Sequence, residues 1–492
     1  MSAARRRGPH PPRGLASGSV AGSPLDREAL DGPLAGRVLL PGSDPYEAQY
    51  KAFNARFHEL RPQAIVSCVT PQDVAEAISF ARRHGVELVP RSGGHCFAGR
   101  SSTRGVVIDL TPMSAVSVSD GEATVGAGAR LGDVYEALQP HGVTVPGGTC
   151  PAVGIAGLAL GGGLGILGRA YGTTSDRLVR AEIVLADGGL IECDENRHEE
   201  LFWAVRGAGA GNFGVVTSLA FRTVPAPEVT NFRAAWPFSA AAAVVDAWQR
   251  WAPTGPDELA ASLKVTLAGD VGRPPSVDVY GAFLGAESDA RELLDTLVVL
   301  ARADPHSTSC RLMSYPDTRR FWAELGVDEP GSDVTPQLQP PVTPYQFSKS
   351  EFFRRALPAD AVAALLDAFS QTRAPGESRE LDFMPWGGAY NRVAPDATAF
   401  VHREELFQLK HAAVVDPEAP LPEKDAAHRW VARSWGAVHP WASGRVFQNF
   451  ADPELADWPT AYYGTNYPRL LDVKARYDPT DVFRSHQSIP AP

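Results

Sequence analysis

The stretch VPGGTCPAVGIAGLALGGGLGILG, residues 145–168, decides how the rest of this chain is read: twenty-four residues hold one cysteine, Cys150, nine glycines and no charge. Each interior glycine costs a helix or strand roughly 1 kcal/mol relative to alanine. So many together mark backbone that must lie close against something, and a ligand is the expected neighbour. The length and the GxxxG spacing from Gly157 to Gly161 would also suit a membrane span. Nine glycines with Pro146 and Pro151 make a poor transmembrane helix, and no other stretch resembles one.

Three further segments belong with it. Upstream lies RSGGHCFAG, residues 91–99, a glycine turn carrying His95. Downstream lies LFWAVRGAGAGNFGVVT, residues 201–217, and near the end VFQNFADPEL (446–455) and YYGTNYPRLLDVKARYDPTDVFRSHQSI (462–489). No GxGxxG stands in the strand-to-helix setting of a dinucleotide fold, and no GxxxxGK[ST] marks a P-loop. Phosphate would therefore be held by backbone N–H groups of turns, which need glycine for close approach and no basic residue.

With 492 residues the chain exceeds what one hydrophobic core usually serves, so two domains are expected. A net charge of -11 offers no attraction to nucleic acid or anionic lipid, which favours a small-molecule substrate. The five cysteines are widely spaced and form no CxxC pair, so neither a disulfide framework nor a metal site is implied. The N-terminal arginines Arg5, Arg6 and Arg7 suggest a twin-arginine signal, but the apolar stretch that must follow is missing. The expectation is a cytoplasmic protein whose residues 1–44 form a leader, disordered at its start.

From Pro62 the pattern is regular. Ile65–Val69 is expected to be a strand, and Thr70, Pro71 and Asp73 start a helix that Gly85 stops. Hairpins are expected to turn at Asp120-Gly121 and at Asp187-Gly188. After Pro225, helical patterns at 240–251 and 288–301 flank strand-like 262–267 and 277–283, with further strands at 380–384 and 406–414. The five prolines of Asp328–Tyr345 suggest a binding loop. Strands and helices mix without strict alternation, so the fold class is α+β.

The pairing of GGH with GGTCPxVGxxGxxxGGG about fifty residues later resembles the berberine-bridge-enzyme-like branch of the flavin oxidoreductases, over roughly residues 45 to 490. The resemblance implies a two-lobed FAD-binding domain of the PCMH or vanillyl-alcohol-oxidase type at 45–226, a substrate domain on an antiparallel sheet at 227–440, and a segment at 441–490 returning to the FAD domain. It implies FAD bound twice, 8α-histidyl at His95 and 6-S-cysteinyl at Cys150. Cys96 neighbours His95, but the family's second anchor sits in the later run. The cofactor residues carried over are Arg91, Ser92, Gly93, Gly94, Cys96 and Gly99; Gly147, Gly148, Thr149, Val153, Gly154, Gly157, Gly161, Gly162, Leu164 and Gly165; Gly211, Asn212, Phe213 and Val216; and Tyr463 and Asn466. In the family, a small residue three after the cysteine goes with oxygen access, so Val153 implies an oxidase that uses molecular oxygen and yields hydrogen peroxide.

The chain departs from its relatives at the base. Many members carry a tyrosine in Tyr-x-Asn-Tyr; here the matching residues are Phe447, Gln448, Asn449 and Phe450, and a phenyl ring takes no proton. Glu380 and Asp382 share one side of a strand, as do Gln408 and Lys410, which makes all four candidate substrate contacts. The candidate bases, in order, are Asp382, Tyr463 and Lys410. Trp386, Tyr390, Phe407 and Phe447 suggest an aromatic pocket wall and hence a secondary-metabolite scaffold rather than a soluble sugar. Oxidation of an alcohol, oxidative ring formation or desaturation, and a flavin-binding protein without turnover all remain open on this reading.

Overall fold

The computed structural model describes residues 34–270, 272–324 and 343–492. Residues 1–33 of the expected leader, and all but the last three residues of the proline-rich stretch 328–345, lie outside the described residues.

Local chemistry sets the first half. Thr70 and Asp73 form a capping box ahead of Pro71–His84, and Gly85 closes that helix in the left-handed conformation. The helix lays Val74, Ala77, Ile78 and Ala81 on a mixed four-stranded sheet. Beside it stands a five-stranded antiparallel sheet. Its first hairpin turns where Asp120 and Gly121 both take positive φ, the geometry that matches strand twist.

The core built on these sheets runs from Ala64 to Phe221, takes in Ala399, and then resumes with Val446, Tyr462, Leu470, Val473 and Ile489 among others. A second core covers one face of a seven-stranded sheet drawn from residues 229–415, every pair antiparallel. The expected α+β class and antiparallel second sheet are therefore what the chain forms. Buried arginines join the halves. Arg403 pairs with Asp176 at 2.6 Å, and Arg169 donates to the carbonyls of Trp386, Pro253 and Gly255. Among the described residues no helix is long and apolar enough to cross a membrane.

The glycine run is not one element. It holds a short helix, Ile155–Leu160, then a turn, then Gly168–Tyr171. At most of its glycines the missing side chain makes room for protein. A Cβ on Gly154 would lie 2.1 Å from Ser92 Oγ and 2.3 Å from the Gly93 nitrogen, and one on Gly165 would lie 1.8 Å from the Gly147 oxygen. Only backbone can pass that close. Of the run's glycines, Gly157 alone would place its Cβ in open space, and it is exposed. Gly154→Ala is accordingly expected to force the His95 and Cys150 loops apart and cost about 1–3 kcal/mol, as overpacking does. A parental melting temperature for that variant would refute the argument.

Candidate active site

His95 follows the strand Leu88–Arg91. Arg91 is spent on bracing that strand's exit: its guanidinium donates to the carbonyls of Ser101, Gln49 and Tyr50. Ser92 Oγ donates to the Ala127 carbonyl at 2.7 Å, and the Gly94 carbonyl accepts from the Phe53 N–H at 3.1 Å. Gly99 sits against the Phe57 ring. The His95 ring stacks on Phe53 with centroids 4.2 Å apart. Burial, helped by the charge of Arg130, lowers its pKa to about 4. At neutral pH the imidazole therefore keeps a free lone pair. Cys96 beside it is half-buried.

Cys150 is exposed at the rim of the second loop. Neighbouring atoms still desolvate its thiol and push it up, against the pull of the Ala152 and Val153 backbone N–H groups. The loop is pinned from both sides. Tyr135 donates to the Gly148 carbonyl at 2.8 Å, and the Leu131 and Gly132 N–H groups donate to the carbonyls of Val153 and Pro151. Thr149 is half-buried between them. Further along, Gly161 lies under Asn449, whose Nδ2 donates to the Leu158 carbonyl at 2.9 Å. Gly162 lies under Phe400, Leu164 packs on Phe400 and its neighbours, and the Gly165 carbonyl accepts from the Tyr390 hydroxyl.

The third glycine segment turns at Gly211, which has positive φ. Asn212 accepts from the Ile489 N–H and donates to the Ala208 carbonyl, while the fully buried Lys474 ammonium caps the Asn212 carbonyl at 2.9 Å. Val216 lies at a register shift in its strand, and Phe213 is core. Tyr463 packs in the same core, stacked on Tyr467, its hydroxyl toward Asn212. That places it with the third glycine segment and not with Asp382. Asn466 spends its amide on the carbonyls of Pro395 and Thr398.

Three of the four polar candidates of the second sheet, Glu380, Asp382 and Lys410, come together, and Gln408 stands two residues before Lys410 on its strand. Register pairs Lys264 with Asp382 and Asp382 with Lys410. Lys410 Nζ lies 2.9 Å from Glu380 Oε1 and 3.6 Å from Asp382 Oδ2, and Lys264 Nζ lies 3.2 Å from Glu380 Oε2. Both carboxylates are desolvated. Two ammonium partners overcome this for Glu380 and hold it down to about 2, whereas desolvation prevails at Asp382 and raises it. Asp382 Oδ1 and Gln408 Oε1 are buried and have no hydrogen-bond partner among the described residues. Lys410 lies over the Phe450 ring, which packs against Phe97 of the His95 loop and against Phe447. Through Phe450 the cluster thus borders the His95 loop.

The expected aromatic wall is corrected at Phe407. Trp386, Tyr390, Phe400 and Phe447 stack into a closed cluster, with Trp386 and Tyr390 at 4.3 Å, and Phe407 lies on the opposite face of the sheet in the second core. Lys264, Tyr280 and His402 were not singled out by the sequence. His402 is buried against Phe352 and bonds Gln448 at 2.9 Å. Lys264 had left one signal, the alternation of Ser262, Lys264 and Thr266 with Leu263, Val265 and Leu267. Among the described residues no group of His, Cys, Asp or Glu is placed to hold a metal ion.

Comparison with known proteins agrees with this geometry. A family model described as FAD binding domain matches residues 62–194, and one described as berberine and berberine like matches residues 446–490. The chain is similar to the FAD-linked oxidoreductase YgaK of Bacillus subtilis (strain 168), 33% identical over 464 residues that cover 93% of this chain and 97% of that one. It is similar in structure to Physcomitrella patens BBE-like 1, with TM-score 0.84 and 29% identity over 94% of this chain and 99% of that one. A glucooligosaccharide oxidase from Acremonium strictum, described with a 6-S-cysteinyl, 8α-N1-histidyl FAD, superposes with TM-score 0.82 at 25% identity over 94% of this chain and 100% of that one.

Proposed function

This chain belongs to the berberine-bridge-enzyme-like FAD-linked oxidoreductases, and from that premise we propose an oxidase that carries FAD on both His95 and Cys150 and removes hydrogen from a hydroxyl-bearing small molecule. The residues present suit that cofactor. The imidazole of His95 is neutral, Cys150 is an exposed residue at the rim of its loop, and Gly93 and Gly154 lock the two loops backbone to backbone. Bound FAD supplies the hydride acceptor. What this chain supplies is the removal of the hydroxyl proton and the orientation of the C–H bond.

The observation that carries the reading is Asp382 Oδ1, a buried carboxylate oxygen with no partner. Buried acceptors in proteins are nearly always paired, so an unpaired one in a cluster that borders the His95 loop supports a substrate O–H as its partner. Asp382 is then the base that takes the proton, with Gln408 Oε1 two positions along the next strand receiving a second donor. Lys410 stabilises the developing alkoxide charge. Because the aromatic side chains close on one another and leave the polar face of the sheet toward the flavin side, the site favours a sugar-like hydroxylated substrate over a flat aromatic scaffold. Anaerobic mixing with a panel of mono- and oligosaccharides and hydroxylated aromatics tests this: bleaching of the flavin by a sugar supports it, and bleaching by aromatics alone overturns it.

Val153 is half-buried three residues beyond Cys150, its N–H toward the Cys150 carbonyl. In a close-packed interior one added methylene is not absorbed by slack. Val153→Leu is therefore expected to slow re-oxidation of the reduced enzyme by oxygen about tenfold or more, roughly 1.4 kcal/mol in barrier, with reduction by substrate nearly unchanged. Equal re-oxidation traces in stopped flow, or a parent that stays reduced in air, would remove both the gate and the hydrogen peroxide product from this reading.

A further inference from the structure

Lys264 lies outside every motif that led to the site, yet it is part of the charge arrangement around Asp382. Three adjacent strands place Lys264, Asp382 and Lys410 in one row, and Glu380 stands two residues before Asp382 on the same face. Each oxygen of Glu380 takes a different ammonium: Oε1 is 2.9 Å from Lys410 and Oε2 is 3.2 Å from Lys264. Lys410 is thereby shared, and its contact with Asp382 is the longer one at 3.6 Å. The charged and titratable groups facing Asp382 are Lys264 from the strand Leu259–Leu267, Tyr280 from Ser276–Phe283, Lys410 from Phe407–Val415, and Glu380 on its own strand. Two ammoniums and two carboxylates balance.

We propose that Lys264 is a positioning residue: by occupying Glu380 Oε2 it leaves Lys410 able to serve Asp382, and it keeps the cluster neutral when Asp382 is ionised. This rests on the reading of Asp382 as base. Without Lys264, Glu380 draws Lys410 to itself, and an uncompensated negative charge remains beside Asp382. Both changes favour the protonated, inactive carboxyl. Without the charge of Glu380, one ammonium is in excess and the ionised carboxylate is favoured.

The experiment is the pH dependence of the flavin reduction rate in the holoenzyme, measured for the parent, Lys264→Met, Lys264→Arg and Glu380→Gln. A neighbouring charge at this range moves a carboxyl by about 1 unit or more. Lys264→Met is expected to move the acid limb up by about 1 unit or more, which slows reduction about tenfold at pH values below the limb. Lys264→Arg is expected to restore the parental limb, and Glu380→Gln to move it down. Difference infrared titration of the Asp382 carboxylate, parent minus Asp382→Asn, gives the same shifts without turnover. A limb and a titration unmoved by Lys264→Met, or moved in the same direction by Glu380→Gln, overturn the proposal. If Lys264→Met does not fold, the Glu380→Gln shift and the Lys264→Arg profile decide it. An acid limb that persists in Asp382→Asn instead overturns the base assignment, a separate outcome.

Discussion

Asp382→Asn is expected to slow anaerobic flavin reduction by about 10²-fold or more, the loss that accompanies removal of a positioned base. The variant keeps the shape of the side chain and its place beside Lys410 but cannot hold a proton. Its flavin absorbance after denaturation should match the parent's, because neither His95 nor Cys150 is touched. The pH profile separates chemistry from damage. Desolvation first, and Glu380 second, raise the Asp382 carboxyl above its ordinary value, against the pull of Lys410 and Lys264. As the active form is the ionised one, the parent rate is full above that raised value and falls as pH drops through it. The Asn variant should lack this limb and run flat at its low rate. Reduction at the parental rate in the variant would remove the base assignment from Asp382; Lys410, whose ammonium is held protonated by two carboxylates, could not take it over as it stands.

The second large effect is all-or-none. Parent protein precipitated by trichloroacetic acid should carry its FAD into the pellet, since covalent bonds outlast the fold. His95→Ala and Cys150→Ala should each retain flavin through the remaining bond, with distinct spectra, and the double variant should release all of it to the supernatant. The neutral state of His95 underlies half of this. Its imidazole gains a proton only as pH falls through about 4, so attachment at that ring should proceed across the neutral range. Should Cys96→Ala rather than Cys150→Ala change the bound flavin's spectrum, the second bond belongs to the wrong cysteine here.

Legibility from sequence tracked distance along the chain. The helix Pro71–His84, with its capping box and glycine stop, was written in consecutive residues and formed as expected, as did the hairpin at Asp120-Gly121. Glu380 with Asp382, and Gln408 with Lys410, were found because a strand's period puts them on one face. That the two pairs would meet, and that Lys264 would complete them, depends on a strand order that no local pattern encodes. The aromatic residues misled for the same reason. Phe407 follows Leu406 and precedes Gln408, and only the direction of the sheet decides that its ring enters the second core. Glycine composition alone did not say which neighbour each glycine makes room for: at Gly93, Gly154 and Gly165 it is mostly another stretch of this backbone, brought there by the fold.

The return of the last residues to the first core has a consequence for how the molecule is made. The sheets of the first half are complete by Arg222, but Val446, Tyr462, Leu470 and Ile489, which finish their core, and Lys474, which ties down Asn212, lie more than two hundred residues later. At roughly 5–20 residues per second, translation leaves that half without its closing segment for on the order of ten to forty seconds. Through that interval the nascent chain holds an open apolar face and an Asn212 turn without its Lys474 brace, so cofactor loading is expected only after the closing segment has been made. A ribosome stalled after residue 440 should display a chain that takes up no FAD.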